Sequence, residues 1–176
     1  MTVIRTERLT LRPATAEDLP AMFEIMSDPR AMTYWSTLPH DSIARTEEWL
    51  GRMLDAAAVR PVTDFLIEFD GQVIGKAGYW KPPEVGYILH PAMWGRGFAR
   101  EAASAVISFG FNALGLLAVT ADVDPRNLPS LRLLEKLGFT RTGYAERTYE
   151  IGGQWADSIY LTLEKDNFRP HLHPED

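Results

Sequence analysis

The sequence predicts a mixed α/β fold (α+β in its strand order), one sheet with helices on both faces. Three observations carry this. The chain has 176 residues and 45% hydrophobic content, which suits one domain able to bury roughly 70% of its unfolded surface. Asp70-Gly71 and Gly152-Gly153 each interrupt alternating apolar runs, so two antiparallel hairpins are expected. A strand at residues 84–89, a helical run from Phe98 to before Gly115 and a strand at 117–123 make one parallel crossover.

Each element has a local cause. Leu9 and Leu11 alternate with Thr10 and Arg12 as a short strand. Thr15 reads as an N-cap with Asp18 three residues on, and a helix over 16–27 places Leu19, Met22, Phe23 and Met26 on one face until Pro29 stops it. Asp41 is the expected cap of a second helix over 42–57, with Trp49, Met53 and Leu54 inward. Residues 64–69 and 72–80 form the first hairpin, and Lys81-Pro82-Pro83 ends it. Ala102, Val106, Phe109 and Ala113 recur at helical spacing. Asn127 or Pro129 opens another helix, which Gly138 ends. Residues 144–151 and 154–163 flank the second hairpin turn. Residues 1–165 are read as a single domain, and 166–176, with Pro170 and Pro174, as a loose tail.

Composition removes several functions. There is no cysteine, so disulfides, thiolate metal sites and an acyl-cysteine intermediate are excluded. His171-x-His173 has no matching ligand cluster, and no metal is expected. The net charge of −6 argues against nucleic acid or an anionic membrane as partner. No apolar run approaches the ~20 residues that span a bilayer, and residues 1–7 lack a signal segment, so a cytoplasmic location is the expectation.

The most informative stretch is Trp94-Gly95-Arg96-Gly97-Phe98-Ala99. It joins a strand to a helix, and its small residues let backbone amides approach a ligand. The amides of a helix start lack intrahelical partners and sit at the positive end of the dipole, a site for a phosphate. A dinucleotide fingerprint needs a third glycine where Arg100 stands. A P-loop needs Gly-Lys-Ser or Gly-Lys-Thr, and neither occurs.

With these readings weakened, the chain resembles the GNAT acyltransferase superfamily. More narrowly, it is similar to the ribosomal-protein N-terminal acetyltransferases of the RimJ/RimL type. Four motifs carry the resemblance: Thr6-Glu7-Arg8-Leu9-Thr10-Leu11-Arg12; Glu84-Val85-Gly86-Tyr87-Ile88 with Trp94 to Ala102; Asn127-x-x-Ser130-x-x-Leu133-Leu134-Glu135-Lys136-x-Gly138-Phe139; and Gly153-x-Trp155-x-Asp157. It implies the GNAT fold, a central, mostly antiparallel mixed sheet with a splayed parallel strand pair. It implies acetyl-CoA as co-substrate, bound at Trp94, Gly95, Arg96, Gly97, Phe98, Ala99 and Arg100, with backbone N–H groups around Arg96, Gly97, Ala99 and Arg100 on the pyrophosphate. The pantetheine arm would run between the two splayed strands, near Ile88, Leu89 and His90 and near Leu117 to Val123, with Asn127 and Ser130 among the cofactor-binding residues. A backbone N–H near Leu89 would polarise the thioester carbonyl. A homodimer would be unsurprising by the same resemblance.

The implied reaction is direct attack of an amine on a thioester. An α-amine is roughly a tenth neutral at pH 7, a lysine amine only about once in several thousand. Glu84 is the first candidate to remove the proton, through water, and its plain alternative is an exposed strand-start carboxylate. Many relatives place a proton-donating Tyr where this chain has Leu134, and Tyr144 is no substitute by position. The resemblance offers Ser130 instead; its plain alternative is to start the helix. Asn127 would bond pantetheine or position the acceptor, besides capping. His90 could move a proton or simply end its strand. Tyr34-Trp35 and Tyr79-Trp80 are candidate walls of the acceptor pocket, or core packing. The acceptor is then a peptide or small-molecule amine, an aminoglycoside or polyamine included. A non-catalytic acyl-CoA-binding module is the remaining alternative.

Overall fold

Alternating apolar residues and two tight turns build the sheet. The structure is a computed structural model that describes residues 2–171. Among these, the strands are β1 (Ile4–Arg5), β2 (Thr10–Arg12), β3 (Asp64–Phe69), β4 (Gln72–Lys81), β5 (Glu84–Leu89), β6 (Ala118–Val123), β7 (Thr140–Ile151) and β8 (Gln154–Glu164). The helices are α1 (Leu19–Ser27), α2 (Ile43–Val59), α3 (Phe98–Asn112) and α4 (Leu128–Lys136). The described strands form one eight-stranded sheet in the order β1-β2-β3-β4-β5-β6-β8-β7. Every neighbouring pair is antiparallel except β5 and β6. These two meet in register only at Glu84 and Thr120, with Thr120 N donating to Pro83 O at 3.0 Å. Pairing stops after that point, and the strands part toward their C-terminal ends.

The period of two sends neighbouring residues to opposite faces. Leu66 and Ile88 face α1 and α2 and share a core with Met22, Met26 and Met53. Phe65, Ile67, Val85 and Leu89 join α3 and α4 in the larger core. Leu131 and Leu134 fasten α4 there, each worth about 1.5–3 kcal/mol of burial. Helix α3 lies over β4, β5 and β6. Its buried set therefore widens beyond the expected stripe to Phe98, Ala103, Ile107 and Phe111, while Phe109 is half-buried edge-on to Phe65.

Several local expectations change. Ser42 rather than Asp41 stands at the N-cap of α2, whose inward residues are Thr46, Leu50 and Met53. The first helix opens with a 3-10 turn, Ala16–Asp18, where the Asp18 carboxylate accepts from Thr15 N at 2.7 Å. Strand β1 has two residues, too few to show a period. Residues 166–171 are docked rather than loose. Phe168 packs on Phe111, Arg169 N donates to Leu137 O at 3.0 Å, and His171 N donates to Ser104 Oγ at 2.8 Å. The rest of the expected tail, with His173, lies outside the described residues.

Candidate active site

The parting strands, the start of α3 and the start of α4 open into one cleft of about 1310 Å³. That exceeds the ~300–1,000 Å³ of ordinary ligand pockets and leaves room for two substrates. The glycine turn forms one end. Gly95 and Gly97 have φ of 71° and 79°, the left-handed region that side chains resist. Gly97 is the N-cap of α3 and brings no side chain to cover the first-turn amides. Trp94, Gly95, Gly97, Phe98, Ala99 and Arg100 all line the cleft. The indole N–H of Trp94 donates to Leu89 O at 3.1 Å, which ties the turn to the end of β5. The Arg96 side chain lies over Phe69 and Phe98 instead, outside the cleft lining.

A brace holds this turn from behind, and no local pattern announced it. Glu101, in the first turn of α3, is buried. Its carboxylate accepts from Thr6 Oγ1 at 2.6 Å, Arg8 N at 2.9 Å and Arg8 Nε at 2.7 Å. Arg8 also donates to Arg96 O at 2.9 Å and stacks over Phe98. Burial alone would raise the Glu101 carboxyl, but the Thr6 and Arg8 bonds hold it below the ordinary glutamate value. That contribution to stability is present at neutral pH and is lost as pH falls through the lowered value. Arg8→Ala leaves a buried carboxylate without its cation and should cost about 3 kcal/mol in urea unfolding. A loss under about 0.5 kcal/mol, the scale of an exposed pair, would show that the brace is ornamental.

Glu84 sits where β5 and β6 still touch, and Asp122 lies two residues along β6 from its partner Thr120. Both line the cleft. Glu84 is exposed at the start of β5, and partial desolvation by the cleft walls and then the charge of Asp122 push its carboxyl above its ordinary value, against the opposing pull of Lys81. Asp122 accepts from Tyr149 Oη at 2.9 Å. A carboxylate kept basic beside a second one is suited to accept a proton from an amine. Glu84 is legible in its motif, whereas Asp122 and Tyr149 come from two other strands, β6 and β7, and have no local signal.

Asn127 caps α4, with Oδ1 accepting from Ser130 N at 3.3 Å. The Ser130 hydroxyl lies 2.7 Å from Tyr87 Oη. Leu134 is buried in the core beneath, and all four residues line the cleft.

Beyond Glu84 the cleft continues over Gly86 and Gly78, which are register partners and line its floor. Tyr34, Trp35, Trp49 and Trp80 line this part. A buried ion pair also lines the cleft, Lys76 Nζ to Asp64 Oδ2 at 2.7 Å, with Lys76 5.7 Å from the Trp35 ring and 5.8 Å from that of Trp49. Two expectations fail here. Tyr79 is not a pocket wall: it is 0% exposed, and its hydroxyl donates to Val106 O at 3.2 Å beneath α3. Trp80 is 62% exposed on the other face, because neighbours in a strand cannot share one. His90 also turns away. Its Nδ1 accepts from Ala92 N, and its Nε2 lies 3.3 Å from Glu24, outside the cleft lining.

Comparison with known proteins agrees with this arrangement. The Acetyltransferase (GNAT) domain family matches residues 8–140. Uncharacterized N-acetyltransferase p20 of Bacillus licheniformis is 30% identical, over 96% of this chain and 99% of its own. Spermidine N(1)-acetyltransferase of Escherichia coli is 26% identical, over 87% of this chain and 84% of its own. Among solved structures, a GNAT-family acetyltransferase from Bacillus anthracis superposes with a TM-score of 0.80 at 26% identity, covering 94% of this chain and 99% of that one. Spermidine N-acetyltransferase from Vibrio cholerae, solved with CoA and spermine, has the same fold, with a TM-score of 0.77 at 24% identity over 92% of this chain and 98% of that one.

Proposed function

Because the chain belongs to the GNAT acetyltransferase family, we propose that it moves an acetyl group from acetyl-CoA to a primary amine by direct attack, with a peptide or protein N-terminal α-amine as acceptor. One observation carries the reading: the uncovered start of α3 and the Glu84–Asp122 carboxylate pair open into the same cleft. The amides of Gly97 to Arg100 hold the pyrophosphate, and the parted ends of β5 and β6 take the pantetheine arm. Acetyl-CoA supplies an activated acyl group. Asn127 positions the amide-bearing arm, and a backbone N–H near Leu89 faces the thioester carbonyl. Glu84 takes the proton of the attacking amine through water, and the Ser130 hydroxyl serves the departing sulfur. With no cysteine in the chain, no acyl-cysteine is formed. The α-amine is favoured because more of it is neutral at pH 7 than of a lysine amine.

A polyamine is the second reading. The Escherichia coli spermidine N(1)-acetyltransferase is a relative over most of the chain, and Glu84, Asp122 and Asp157 would attract a cation. The test is release of CoA thiol from acetyl-CoA with N-terminal peptides, lysine peptides, polyamines and aminoglycosides. N-terminal peptides should give the highest kcat/KM. A higher value for spermidine or an aminoglycoside moves the acceptor to small molecules. Saturable acetyl-CoA binding without release from any amine leaves an acyl-CoA-binding module.

A further inference from the structure

Leu134 leaves its place on α4 without a proton donor, yet two hydroxyls meet one turn earlier. Tyr87 comes from β5 and Ser130 from the first turn of α4, and both line the cleft at 2.7 Å from each other. Resting on the acetyl-transfer reading above, we propose that Tyr87 is a positioning residue: it donates to Ser130 Oγ and so turns the Ser130 hydrogen toward the sulfur that leaves the acetyl donor.

The direction of the bond follows from chemistry. Each hydroxyl has one proton to give, and a phenol is the more acidic and better donor. A Ser130 that accepts from Tyr87 must point its own hydrogen elsewhere. A serine in a helix otherwise tends to bond the carbonyl four residues back, which would waste that hydrogen. The Tyr87 bond competes with that arrangement and polarises the Ser130 hydroxyl. Tyr87 is held protonated, pushed up to about 12 by burial against the lowering effect of Ser130. It therefore orients the hydroxyl and does not lose its proton to a thiolate, which is the weaker base. The balance of the step is complete. A C–N bond forms, the C–S bond breaks with its pair on sulfur, the amine proton leaves through water to Glu84, which releases it to solvent, and sulfur takes a proton from solvent. Ser130 and Tyr87 end as they began.

A double-mutant cycle on kcat tests this. Tyr87→Phe, which keeps the ring, should lower kcat about tenfold with KM for acetyl-CoA within about twofold, and Ser130→Ala should lower it about 10–100-fold. In the Ser130→Ala background, Tyr87→Phe should cost less than about twofold, because its route to the sulfur is gone. An equal loss in both backgrounds means that Tyr87 only packs, and no loss in the presence of Ser130 means that it does nothing; either overturns the proposal. Should Tyr87→Phe fail to fold, 3-fluorotyrosine at position 87 keeps the hydroxyl and makes it a stronger donor. It should change kcat only when Ser130 is present, and an unchanged kcat overturns the proposal. Wild-type protein that releases no CoA with any amine would sink the acetyl-transfer reading itself, whereas active wild type with an additive cycle would sink only the role of Tyr87.

Discussion

Gly97→Asp should reduce acetyl-CoA affinity by at least about a hundredfold in isothermal titration calorimetry. A carboxylate about 5 Å from a pyrophosphate charge costs about 3 kcal/mol at an effective dielectric near 20, and each 1.4 kcal/mol is tenfold. The position is also conformationally demanding, with φ 79° and ψ −2°. A new Cβ would stand 3.3 Å from Arg8 Nη2, so the brace could draw the carboxylate partly aside. Gly97→Asn controls for both effects. It has nearly the same size and tolerates the left-handed region, but it carries no charge. Asn should retain most of the affinity that Asp loses. Equal losses would trace the effect to shape, and full affinity in both would put the phosphates elsewhere.

Glu84→Gln should lower kcat by about a hundredfold, the usual worth of a general base, and should flatten the acid limb of the pH–rate profile. The sign follows from its surroundings. Partial desolvation and Asp122 raise the Glu84 carboxyl, so the protonated, inactive form persists to higher pH than an ordinary glutamate would allow. Activity therefore falls, as pH is lowered, through a value above the usual glutamate range. Asp122→Asn removes the like charge and should shift that limb to lower pH while Glu84 remains. Glu84→Gln with an unchanged rate and profile would remove Glu84 from the mechanism. A limb that stays in place in Asp122→Asn would show that desolvation alone sets it.

Much of the fold is legible locally. Asp70-Gly71 and Gly152-Gly153 turn the hairpins, Asn127 caps α4, and Gly138 ends it at φ 103° against the carbonyl of Asn167. These features depend on neighbours a few residues away. Tyr34, Trp35 and Trp80 of the expected aromatic wall line the cleft, and Tyr79 departs from it for a related reason. Tyr79 and Trp80 are adjacent in sequence, and strand geometry divides the pair between the core under α3 and the open face. His90 lies at the strand end as its position suggests, but the short turn that follows takes its Nδ1.

The rest depends on distance along the chain. Arg8 and Glu101 are 93 residues apart, and Tyr87 and Ser130 are 43. A glutamate in the first turn of α3 reads as an ordinary dipole partner until the loop before β2 closes over it. Tyr87 in β5, Asp122 in β6 and Lys76 in β4 carry no local mark of the partners they meet.

The order of elements, the two hairpins, the crossover, the glycine turn and the residue types at the start of α4 are all set by residues close along the chain. Those are short-range matters of backbone torsion, capping and periodicity. Only the tertiary structure decided which of these residues share a cleft. It placed Asp122 beside Glu84, Tyr87 against Ser130, and Arg8 behind the turn. The physical reason is that β5 and β6 stop pairing after Glu84 and Thr120. That parting of two strands joins the glycine turn to α4, and it involves residues on β5, β6, α3 and α4 that are far apart along the chain.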